Sequence, residues 1–68
     1  MDQPVRIIRH SVITDSGSFE VRFADGRPSL YWYWDDNQSR RSVRNCDDQE
    51  TAKAKAQEFA RSYLNQLL

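Results

Sequence analysis

The sequence predicts an α+β domain, an antiparallel three- or four-stranded β-meander with one C-terminal α-helix packed on one face. Three observations predict it. Residues 19–23, FEVRF, alternate strictly between apolar and charged side chains, the period of a half-buried strand. Asp25-Gly26 follows at once as a hairpin signal. Beyond residue 50 the period changes, and Ala52, Ala56, Phe59, Ala60, Tyr63, Leu64 and Leu67 fall on a helical stripe.

The elements follow in order within a single domain spanning 1–68. Residues 4–13, PVRIIRHSVI, are rich in β-branched side chains and carry no helix start signal, which reads as a first strand. Its facing stays open, because Ile7 and Ile8 are adjacent. TDSGS at 14–18 reads as a turn. The second strand occupies 19–24, and the ADGRPS loop keeps Pro28 outside the ladder. LYWYW within 29–35 makes the third strand, and DDNQSR at 35–40 a second turn. RSVR then reads as a short final strand within 40–44. Strands joined by such short turns pair antiparallel. A helix is expected over 48–66, with Asp47 or Asp48 as its cap and Asp47 and Glu50 at the spacing of a capping box. Acidic residues in its first turn and Arg61 late in it suit the helix dipole.

Four consecutive aromatic residues, Tyr31-Trp32-Tyr33-Trp34, raise the question of what covers them. One helix covers one face of a sheet. Alternation separates Trp32 and Trp34 from Tyr31 and Tyr33. The larger, less polar indoles belong under the helix, with Phe19, Val21, Phe23, Val43 and Phe59. Tyr31 and Tyr33 then lie on the open face, framed by arginines.

Composition excludes several function classes. A chain of 68 residues supports one small core, which supplies about 3–5 kcal/mol net. With 38% hydrophobic residues it is too apolar for a disordered chain. A single cysteine, Cys46, rules out an internal disulfide and favours a reducing, cytoplasmic setting of bacterial or phage type. No stretch is apolar enough for a signal peptide or membrane span. Ten basic residues balance ten acidic ones, so net charge gives no pull toward nucleic acid or membrane. Eight of the ten bases are arginine, the residue of bidentate and stacked contacts.

No enzyme is expected. Asp35-Asp36 is turn chemistry at a strand end, where neighbouring side chains diverge. His10 and Cys46 stand without a third partner for nucleophilic chemistry, and nothing has metal-ligand spacing. Two glycines make no phosphate loop. No cofactor and no small-molecule substrate is expected. The concentration of Tyr and Arg points instead to a binding face, since these residues are enriched at binding hot spots. Its candidates are Arg22, Tyr31, Tyr33, Arg40, Ser42 and Arg44, with Arg27 at the edge.

The stretch FEVRF…LYWYW…RRSVRNCDDQETAKAKAQEFA, residues 19–60, resembles the small DNA-binding domains at the amino terminus of tyrosine-recombinase integrases. It is also similar to the ethylene-response-factor type of plants. Those families lay the open face of a three-stranded sheet in the major groove. The resemblance implies DNA contact by Arg22, Tyr31, Tyr33, Arg40, Ser42 and Arg44. DNA binding or regulation through this face is the first expectation, favoured by the arginines and the resemblance. The alternative partner is another protein, met by the same face as a small adaptor or phage-type inhibitor meets its target; neutral charge and tyrosine content favour it.

Overall fold

The computed structural model describes residues 3–67. Strands β1 (Val5–Ile13), β2 (Ser16–Phe23) and β3 (Leu30–Asp35) precede helices α1 (Gln38–Arg44) and α2 (Gln49–Leu67). The strands form one antiparallel sheet in the order β1-β2-β3. The expected combination of a sheet and a C-terminal helix is therefore present. Among the described residues no helix is long and apolar enough to cross a membrane.

Strand period decides which side chains meet α2. The register opposes Val5 to Phe23, Ile7 to Val21 and Arg9 to Phe19 on one face, continued by Trp32 across from Phe19 and Trp34 across from Gly17. Against this face α2 lays Ala52, Ala56 and Ala60, all buried. Alanine at every fourth position lets the helix backbone approach the sheet, and the large rings fill the space around it. Trp34 is only 1% exposed. Arg9 lies over its indole at 5.2 Å, and Phe19 packs beside it. Trp32 packs on Phe59 with ring centroids 5.5 Å apart, and Phe23 meets Phe59 and Tyr63 edge-on.

The first turn is tighter than the sequence suggests. Only Thr14 and Asp15 turn, with Asp15 in the left-handed region at φ 66°, and Ser16-Gly17-Ser18 already belong to β2. Gly17 is required there, because a Cβ would lie 1.9 Å from the His10 carbonyl oxygen and 2.9 Å from the Trp34 ring.

The segment expected as a fourth strand, 40–44, is instead the helix α1. Two asparagines frame it. Asn37 accepts the Arg40 N–H through Oδ1 at 3.1 Å, and Asn45, in the left-handed region, donates its N–H to the Arg41 carbonyl at 2.8 Å. These are start and stop signals of a helix. Val43, expected in the core as part of that strand, is accordingly 86% exposed. After α1 the chain returns along β3, where the Asp47 carbonyl accepts the Asp35 N–H at 2.8 Å. Helix α2 then starts one residue later than expected. Asp48 is its cap, accepting the Thr51 N–H at 2.8 Å, while the Asp47 carboxylate pairs with Lys55.

Truncating a buried aromatic to alanine costs about 3–5 kcal/mol, comparable to the whole stability of so small a domain. Trp34→Ala is therefore expected to abolish the cooperative thermal transition followed by circular dichroism. Gly17→Ala is expected to do the same, because the atom it would strike is backbone. Val43→Ser is expected to shift stability by no more than about 0.5 kcal/mol. A cooperative melt for Trp34→Ala would contradict this account of the core.

Candidate binding face

Helix α2 does not cover the other face of the sheet, and α1 meets that face at its Asp35 end. Alternation and register lay its side chains out in rows across β1, β2 and β3. Arg6 stands opposite Arg22. Ile8, Glu20 and Tyr31 form the next row, and His10, Ser18 and Tyr33 the one after. Tyr31 and Tyr33, two residues apart on β3, stack with centroids 6.2 Å apart and planes 21° from parallel. They are 48% and 57% exposed.

In the middle row of this face sits a carboxylate that solvent scarcely reaches. Glu20 is 4% exposed because its own hydrogen-bond partners close over it. Arg22 donates from Nε at 3.0 Å and Nη2 at 3.2 Å, Ser29 Oγ donates at 2.6 Å, and His10 Nε2 lies at 2.7 Å. These bonds favour the ionised form, with Arg22 the strongest influence, then Ser29 and His10, and they lower the Glu20 pKa to about 2. Arg22 is held charged in turn. The cluster binds β1, β2 and the entry to β3 together on the side that α2 does not cover.

A second buried carboxylate anchors α1. Asp35 is fully buried, accepting from Arg40 Nε at 2.8 Å and from the Asn37 N–H at 2.8 Å. Arg40 also donates to the Thr14 carbonyl at 3.2 Å, tying α1 to the β1–β2 turn. Asp36 turns elsewhere and accepts the Gln49 N–H at 2.9 Å, so the two neighbouring carboxylates diverge.

The face thus brings together three of the residues singled out from the sequence, Arg22, Tyr31 and Tyr33. Arg27 lies on the helix side, paired with Asp25 at 2.7 Å and stacked over the Phe23 and Tyr63 rings. Arg40 and Ser42 are carried by α1 rather than by a strand, and the Ser42 hydroxyl donates to the Gln38 carbonyl at 3.4 Å. The side chain of Arg44 lies outside the described residues. Sequence reasoning missed the contribution of β1, namely Arg6, Ile8 and His10. Its signal was present in the β1–β2 pairing, because once Phe19, Val21 and Phe23 face the core, Arg6, Ile8 and His10 must face away.

Glu20 lies between Ser29 and His10, so the histidine is not placed to take a proton from the serine. Cys46 is half-buried and lines a cleft of ≈ 420 Å³ with Tyr31, Trp32, Tyr33, Asn45 and Asp47. Among the described residues no three His, Cys, Asp or Glu side chains come together as a metal site. No protein-family profile, curated protein or solved structure matches this chain.

The Glu20 cluster makes a testable contribution to stability. A carboxyl lowered to about 2 in the folded chain, against an ordinary value of 4.5, stabilises fully above pH 4.5. That contribution is lost as pH falls through about 2. In thermal melts across this range the parent chain is expected to lose more stability on acidification than Glu20→Gln, whose amide cannot titrate. Parallel losses in the two proteins would show that the cluster is not formed in solution.

Proposed function

We propose that this protein is a non-enzymatic interaction module that docks another protein through the open face of its sheet. The observation that carries the reading is the stacked, half-exposed Tyr31–Tyr33 pair, standing beside the Glu20–Arg22 cluster on the face opposite α2. Tyrosine supplies contact area with few rotamers to freeze, and tyrosine and arginine are enriched among the residues that dominate binding energy. Ile8 adds an apolar side chain in the same row as Tyr31.

Charge supports a protein partner over DNA. Affinity for a phosphate backbone draws on cations free to displace counterions. Here Arg22 is paired with Glu20, Arg27 with Asp25, Arg40 with Asp35, Arg41 with Asp48 and Lys55 with Asp47. The chain as a whole is neutral. DNA binding is the second reading, favoured by the resemblance over residues 19–60 and by Arg6 standing beside Arg22 on the tyrosine face.

The two readings separate by salt. A partner captured from the source cell on the immobilised chain, with nuclease present, is expected to stay bound as salt rises several-fold. Tyr31→Ala and Tyr33→Ala are each expected to cost at least about 2 kcal/mol of binding, roughly thirtyfold in Kd, in proteins that still melt cooperatively. Nuclease-sensitive capture, or affinity that falls steeply with salt, would transfer the face to DNA.

A further inference from the structure

Arg6 and Arg22 are direct partners in the β1–β2 register and stand on the same face. Like charges directly opposite across a ladder repel, so the pair invites an anion between its members. Both line one cleft of ≈ 290 Å³, together with Gln3, Phe23 and Ala24. Glu20 occupies Nε and Nη2 of Arg22, which fixes that guanidinium and leaves its Nη1 uncommitted among the described residues. Arg6 is exposed and makes no ion pair among the described residues.

We propose that this cleft is an oxyanion seat, in which Arg6 and Arg22 clamp a carboxylate side chain of the docking partner. A planar guanidinium matches a carboxylate in shape and donor spacing, and two of them leave few of its lone pairs unsatisfied. Charge balance suits a lone carboxylate, since Arg6, Arg22 and Glu20 together carry one positive charge. A nucleic-acid strand would bring a run of phosphates past Glu20, whereas an isolated carboxylate meets only the seat. The tyrosine pair begins one row away, so the partner presents an acidic residue next to an apolar or aromatic one. The inference rests on the protein-docking reading for the identity of the group that carries the anion.

The test follows the side-chain Nε–H signals of Arg6 and Arg22 by NMR while the whole chain is titrated with a capped tetraglutamate peptide. A short thymidine oligonucleotide at the same ionic strength is the second arm. The peptide is expected to shift both signals saturably, and Arg6→Gln, verified as folded by its melt, to weaken it about tenfold, the effect of losing one charge-assisted contact. The seat is overturned by the absence of a saturable shift, by equal affinity for Arg6→Gln, or by an oligonucleotide that occupies the pair more tightly than the peptide. Failure of this titration while partner capture still depends on Tyr31 and Tyr33 removes the seat alone. Loss of that tyrosine dependence removes the docking reading.

Discussion

A single helix must bury one face of a three-stranded sheet, and it can bury only one. Every other feature of the molecule answers to that constraint. Ala52, Ala56 and Ala60 let α2 approach closely, and Trp34, Phe19, Val21 and Phe23 fill the contact from the sheet side. The period of two then forces Tyr31, Tyr33, Glu20 and Arg22 outward, whatever their function. A strand with aromatics at consecutive positions is the consequence of asking one segment to serve both faces.

The uncovered face must be satisfied without a core behind it, and the chain meets this with charge. Glu20 accepts from two strands and the β2–β3 loop, so β1, β2 and the start of β3 are fixed on the side away from α2. At the far end of the sheet Arg40 and Asp35 play the corresponding part, clasping α1 to β3 and to the first turn. Both clusters consume arginines that a nucleic-acid-binding surface would present to phosphates. What remains available on the open face is aromatic area, one branched aliphatic side chain, Arg6 and the free Nη1 edge of Arg22. This inventory is what supports the proposed protein partner over a duplex.

Much of the fold was legible in the sequence because it is written in periods. FEVRF and LYWYW alternate, and the apolar stripe of α2 recurs every three or four residues, so the sheet, the helix and the facing of Trp34 against Tyr33 could be read directly. Strand β1 was legible as a strand but its facing was not, because Ile7 and Ile8 are adjacent; pairing with Val21 and Glu20, not local pattern, assigns one inward and the other outward. Helix α1 resisted for a different reason. It is seven residues long with one apolar side chain, so it has no stripe, and its identity lies in the caps Asn37 and Asn45 and in a tertiary contact, Arg40 with Asp35. The candidate face was half legible on the same grounds. Its β2 and β3 residues followed from alternation. Arg27 went to the helix side through a loop whose Gly26 sits at φ 88°, and no strand period describes that conformation.

The central claim, that the Tyr31–Tyr33 face is where a partner protein docks, is tested most directly by the ring and methyl proton signals of the chain alone and saturated with its captured partner. The account predicts that Tyr31, Tyr33 and Ile8 shift or broaden on binding, while Trp34 and the methyls of Ala52, Ala56 and Ala60 beneath α2 keep their positions. Perturbation confined to the outer surface of α2, with both tyrosine rings unmoved, would contradict it.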